Sequence, residues 1–247
     1  MGKEYPLVEA IFEVRWGEAS SNRFSYNSFC ETEFFQRFAV TASKEGFDVY
    51  ERATDDNNML PHRVIHRYRQ KDDTWPCLQV GLGVFTVNQI AESYNREDFI
   101  KSIEKGVAIL LKSLGGEANR IKDTLMILLR YQNAFYDDGV SNELSKLEDY
   151  FGIKLQFPSS FENNLERVSN VELSFGLKCE KPTNSHANIS IQNAIIEGKK
   201  GTFVDSVVWT HFKTLETKGI DTRDSIQKWI DDAYDFQKET YEQLMVS

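Results

Sequence analysis

An α+β protein, with a largely antiparallel sheet packed against amphipathic helices, is what this chain predicts, and three observations predict it. The first is a set of short segments that alternate apolar and polar residues, the signature of strands buried on one side. The second is a pair of long segments with apolar residues at helical spacing, 99–114 and 226–244. The third is their order, runs of strands punctuated by single helices rather than a regular βαβ alternation, which favours antiparallel pairing over a parallel sheet.

The centre of the chain organises the rest. Leu78 to Asn88 reads as an apolar strand or tight hairpin around Gly81-Leu82-Gly83. A helix follows, with Phe99, Ile100, Ile103, Val107, Leu110, Leu111 and Leu114 on one stripe. Asn95 is placed to cap it, Glu97 and Asp98 suit the positive end of its dipole, and Gly115-Gly116 supplies a stop. Leu125 to Asn133 is then a strand whose first half is apolar on both faces, which predicts a central position.

Taking the chain from its start, Val8, Ala10, Phe12, Val14 and Trp16 alternate with Glu9, Ile11, Glu13 and Arg15, a strand with a charged outer face. Ser28 with Glu31 resembles a capping box and opens a helix through Phe34, Phe35, Phe38 and Ala42. Strands are predicted from Phe47 to Ala53 and from Arg63 to Gln70, with a loop at Thr54–Asn58 and a turn at Lys71-Asp72-Asp73. This gives β-α-β-β-β-α-β for an N-terminal lobe, 1–138, with a junction at Asp137-Asp138-Gly139. The C-terminal lobe, 139–247, reads α-β-β-β-α. Its short helix carries Leu144, Leu147 and Phe151 inward, from a cap at Ser141 to Gly152. Its first strand places Val171, Leu173, Phe175, Leu177 and Cys179 on a buried face. Two more strands follow, Ala187–Glu197 and Thr202–Lys213, joined through Gly198-Lys199-Lys200-Gly201. A final helix opens at Asp221 or Thr222 and buries Ile226, Trp229, Ile230, Ala233, Phe236, Tyr241 and Leu244.

The totals bound the function. A net charge of −9 over 247 residues argues against a generic nucleic-acid or anionic-membrane surface, both of which draw on a basic excess. Three scattered cysteines give neither a disulfide framework nor a Cys-x-x-Cys pair. No apolar run is long enough to span a membrane, and the polar start leads straight into a strand, so a cytoplasmic location is expected.

Chemistry-bearing motifs are sparse. Gly81-Leu82-Gly83 has Thr86 where a dinucleotide fingerprint has its third glycine, and a strand follows in place of a helix. His62 and His66 lie about 13 Å apart on an extended strand, too far to share a metal. No cofactor and no metal are expected, and no catalytic residue is assigned. Two groups of candidate ligand- or partner-binding residues remain. Arg63, Arg67, Arg69 and Lys71 share strand parity, so they can present one positive face to phosphates or to an acidic partner. Glu9, Glu13, Arg130 and Asn133 are polar groups set in or at the end of strongly apolar strands.

Pro6 to Arg15, the central Leu78-Gln79-Val80-Gly81 with Val84 and Val87-Asn88, and Leu129-Arg130-Tyr131-Gln132-Asn133 together resemble a sporadically distributed family of uncharacterised prokaryotic proteins of about this length. The chain departs from that pattern at Gln132, where an aliphatic residue is expected, and at Asn95 to Asp98, which lacks a tryptophan often found near Tyr94. The resemblance implies no catalytic residues. Its patchy distribution is similar to that of mobile, defence-associated genes, so it implies a subunit of an antiviral or toxin–antitoxin-like system.

Three readings follow. In the first, the chain is a non-catalytic interaction subunit, docking a protein encoded beside it through a sheet face or the C-terminal helix. In the second, it is a nucleic-acid-binding or nuclease-complex component using the Arg63–Lys71 face. In the third, it is a small-molecule enzyme with a pocket near Arg130, Asn133, Glu9 and Glu13. No membrane partner is expected in any of them.

Overall fold

A computed structural model describes residues 7–20, 23–54, 59–135, 147, 151–156, 172–196, 198–215 and 222–244. The class is α+β, and every pairing whose register is defined is antiparallel. The chain divides into two compact units, one of 9–130 with 209–230, the other of 1–8, 131–208 and 231–247. The expected junction at 137–139 and the expected helix start at Ser141 lie outside the described residues.

In the first unit β1 (Leu7–Arg15) is followed by a small hairpin, β2 (Glu18–Ser20) and β3 (Arg23–Ser25), which the sequence pattern did not announce. A π-turn (Phe29–Glu33) leads into α1 (Phe34–Lys44). Then come β4 (Val49–Arg52), β5 (Val64–Arg69), β6 (Cys77–Gly81) and β7 (Val84–Ile90). The helices α2 (Arg96–Leu114) and α3 (Glu117–Ile121) precede β8 (Met126–Phe135). The hydrogen-bonded order is β4-β5-β6-β7-β1-β8, so the N-terminal strand sits inside the sheet rather than at its edge.

The Leu78–Asn88 segment is a hairpin, Gly81 facing Val84 across Leu82-Gly83. Ala10, Phe12 and Val14 of β1 stand opposite Gln89, Val87 and Phe85 of β7, and all six are buried. Asn95 caps α2 by accepting from Asp98 N at 3.2 Å, and Gly115 ends the helix at φ 55°. The buried stripe of α2 is rotated from the expected one: Phe99, Ile103, Leu110 and Leu114 are buried, but so are Gly106, Ile109 and Ser113, while Leu111 is exposed. The reason is close approach, because a Cβ on Gly106 would meet Val87, Phe85 and Leu78 at 2.8, 2.9 and 3.3 Å. The first turn of the helical segment is also capped differently. Ser28 makes no side-chain cap; Asn27 Oδ1, one residue earlier, accepts from Cys30 N at 3.0 Å.

The second unit contains the end of β8, β9 (Glu172–Lys178), β10 (His186–Ile196) and the start of β11 (Lys199–His211), with β11-β10-β9 as neighbours. Its core joins Leu147, Phe151, Ile189, Ile191 and Val204, with Phe135, Ile153, Leu155 and Leu173 against it. The expected burial of β9 is corrected: Phe175 and Leu177 are 38% and 41% exposed. The helix α4 (Thr222–Leu244) buries Ile226, Trp229, Ile230 and Ala233 as its periodicity predicts, and Gln237 besides. No helix among the described residues is long and apolar enough to cross a membrane.

Candidate functional site

The two faces of the first unit's sheet have opposite chemistry. One face receives α1, whose Phe34, Phe38 and Ala42 fall on the buried stripe. Phe38 packs between Tyr68 of β5 and Phe85 of β7, with ring centroids 5.4 and 5.8 Å away. The next stripe of α1 overhangs the short strands at the sheet's end. There Phe35, Ala39 and Ser43, four residues apart, form one wall of a groove of about 420 Å³; Phe47, Tyr50, His66 and Tyr68 form the other.

Register explains the second wall, since Tyr50 pairs with Tyr68 and Arg52 with His66, so both rings of the Tyr50–Tyr68 pair and the imidazole share a side. The Phe35 and His66 rings meet edge-on at 5.0 Å, and Tyr50 Oη lies 3.0 Å from His66 Nδ1. Burial pushes the His66 imidazole below its ordinary value, and Arg52 adds to the push, so the ring is neutral at pH 7. Burial, reinforced by Tyr50, lifts the Tyr68 phenol to about 12. Ser43 Oγ donates to Asp48 Oδ1 at 2.6 Å on the polar rim. The outer strand of this wall, β4, ends the hydrogen-bonded order, which leaves one side of its backbone unpaired among the described strands. Its two charges do not guard that edge: Glu51 turns to the opposite face, and Arg52 Nε donates to Thr54 O at 2.9 Å.

The other face is polar and covered. Glu13, Gln79, Thr86, Asn88 and Arg69 are all buried on it, beside Cys77. Asn88 Nδ2 donates to Glu9 Oε1 at 2.7 Å, and Thr86 Oγ1 donates to Asn88 Oδ1. Glu51 accepts from Arg67 at 3.0 Å and lies 3.8 Å from Arg69, whose guanidinium covers the Trp75 ring at 4.7 Å. The Cys77 thiol is pushed up to about 11 by burial against the opposing pull of Arg69 and Arg67, so it stays protonated and unreactive.

Against these faces the expected site residues sort as follows. Arg67 and Arg69 do share parity, but they point into the covered face, where both meet Glu51, whose strand places it directly opposite Arg67. Arg63 and Lys71 fall outside β5, both exposed, and a register shift at Val64/His66 ends the alternation on which a continuous positive face depended. Glu13, expected on a solvated face, is buried and paired with Arg15. Glu9 is held by Asn88 within electrostatic reach of Arg67 and Arg130. Asn133 is buried and belongs to the other unit. The described residues contain no cluster of His, Cys, Asp or Glu able to hold a metal. The sequence marks His66 and Tyr68 only as aromatic neighbours of the Arg63–Lys71 cluster and Phe35 only as a helix core residue, and it gives Tyr50 no role; the alternation His66–Tyr68 beside Tyr50 was the available signal.

Glu9 supplies a pH prediction. Burial raises its carboxyl above the ordinary 4.5, outweighing the Asn88 bond and the attraction of Arg67 and Arg130. Between the unfolded and the folded pKa the native state holds more protons than the unfolded one, so stability falls as pH rises through that window and stays lower above it. Glu9→Gln keeps an acceptor for Asn88 and removes the charge. Its urea midpoint is expected to match the parent at pH 4 and exceed it at pH 8; a midpoint below the parent at pH 8 contradicts the assignment.

A second opening of about 270 Å³ is lined by Trp16, Gly17, Tyr26, Cys30 and Thr124 among others. Burial lifts the Tyr26 phenol to about 12 and raises the Cys30 thiol, so both stay protonated.

No family model and no curated protein matches this chain. Among solved structures, the crystal structure of DynU16, from the dynemicin biosynthetic locus, aligns over 96% of this chain and 99% of its own at 8% identity, with a TM-score of 0.22. A similarity of that size carries no argument about fold or activity.

Proposed function

We propose that this protein is a non-catalytic, cytoplasmic interaction subunit that holds an extended segment of a partner protein in the groove between α1 and β4. The observation that carries the reading is the pairing of an aromatic-lined groove with an unguarded strand edge on the same wall. An extended segment adds main-chain hydrogen bonds along β4 and inserts alternate apolar side chains between Phe35, Tyr50 and His66, which is recognition by strand addition. By contrast, the charged groups of the polar face are engaged, Glu51 with Arg67 and Arg69, Glu13 with Arg15 and Glu9 with Asn88, an arrangement suited to fixing strand order. The defence or toxin–antitoxin setting that the family resemblance implies puts the partner in an adjacent gene.

Co-expression with the product of that gene is the test. Near-stoichiometric co-elution is expected, and Tyr50→Asp or Ala39→Arg should weaken it by about 2 kcal/mol or more, roughly 30-fold, with the melting temperature unchanged. Retention of the partner at parental affinity by both variants overturns the proposed site.

A further inference from the structure

In the second unit the order β11-β10-β9 ends at β9, whose sequence is Glu172-Leu173-Ser174-Phe175-Gly176-Leu177-Lys178. It pairs with β10 on one side only among the described strands. Leu173, Phe175 and Leu177 share a face with the buried Ile191, Ile189 and Ala187, yet Phe175 and Leu177 keep 38% and 41% of their surface in solvent. On the other face Glu172, Ser174, Gly176 and Lys178 are exposed, and a Cβ on Gly176 would meet nothing within 4 Å. An exposed, mostly uncharged edge of this length ordinarily invites strand pairing.

The chemistry of the seven residues says with what. Read against a reversed copy of itself about Phe175, the strand sets Glu172 opposite Lys178, Leu173 opposite Leu177, Ser174 opposite Gly176 and Phe175 opposite Phe175. The charged and apolar oppositions are favourable, two ion pairs, two aliphatic pairs and one aromatic pair, and the two serine–glycine oppositions add no clash. Two alternatives are not. In-register parallel pairing puts like charges side by side, and a slip of one residue sets the apolar face against the polar one. We infer that a second copy of this chain occupies the edge, giving a two-fold symmetric dimer joined β9 to β9. The relation is self-complementary, as a two-fold axis requires. This surface is separate from the α1–β4 groove, so the dimer stands or falls independently of the partner-docking reading.

A seven-residue edge buries less than the roughly 1,200 Å² of a standard stable interface, so the dimer dissociates in the micromolar range. Sedimentation equilibrium of the full chain between about 1 and 200 µM is expected to follow a monomer–dimer curve that weakens with added salt. Glu172→Lys and Lys178→Glu, each of which turns both ion pairs into repulsions, should each raise the dissociation constant at least about tenfold. The double variant Glu172→Lys/Lys178→Glu restores opposite charges and should return it to within about threefold of the parent. Circular dichroism melts show whether each variant folds, and the double variant controls for local damage to β9. A chain that stays monomeric to the highest concentration overturns the inference. So does a dimer indifferent to both single swaps, or a double variant no tighter than the singles.

Discussion

Substituting alanine for Gly81 is expected to destabilise the protein by about 3 kcal/mol or more, a larger loss than any surface substitution, and to lower the urea midpoint accordingly. A Cβ at this position would lie 1.8 Å from the carbonyl oxygen of Arg63 and 2.7 Å from its carbon. Those are backbone atoms, so no side-chain rotation relieves the clash. The approach is close because β5 shifts register between Val64 and His66, folding the chain before it onto the end of β6. The same approach is locked by His62 N donating to Leu82 O at 2.8 Å, and by His62 Nε2 lying 3.1 Å from Trp16 O. Accommodating a methyl group therefore separates β5 from β6 at the hairpin and pulls His62 from the end of β1. Gly116→Ala, which meets nothing within 4 Å and sits at φ −62°, is the matched control and should change the midpoint little. Equal midpoints for the two variants would show that the Arg63 carbonyl yields freely and that the register shift stores no constraint.

That position also shows where sequence reading stops. The hairpin from Cys77 to Ile90 and the helix from Arg96 to Leu114 were legible because their signals are local: alternation, an Asn cap, a glycine stop. Which face of each element is covered is not a local property. The outer face of β1 reads as solvated, yet Glu13 on it is buried. The inner face of β9 reads as buried, yet it remains partly exposed. In α2 the residues that touch the sheet most closely include Gly106 and Ser113, which a search for large apolar side chains discounts. The candidate groups divided for the same reason. Parity placed Arg67 with Arg69 correctly, but the carboxylate that pairs with them arrives from β4 through a register that no sequence spacing encodes. The groove was invisible because its walls come from α1, β4 and β5, none of which carries a motif.

Phe38→Ala should cost about 3–5 kcal/mol, the range for truncating a fully buried phenylalanine. Phe38 is 0% exposed, and its ring stands 5.9 Å from Phe34, 5.4 Å from Tyr68 and 5.8 Å from Phe85. It is the side chain through which α1 grips both β5 and β7, so its loss removes transfer energy and leaves a cavity lined by aromatics that rotate poorly to fill it. The consequence for function separates it from the groove substitutions. Phe35 and Ala39 flank Phe38 on the same helix, and their spacing from Tyr50 and His66 depends on how α1 is seated. Loosening that seat is expected to weaken partner binding together with stability, whereas Tyr50→Asp, on an exposed side chain, weakens binding alone. Phe38→Leu should recover most of the stability and, with it, the binding. If Phe38→Ala destabilises as expected while the partner still binds at parental affinity, the α1 wall takes no part in docking and the recognition resides in the β4 edge itself.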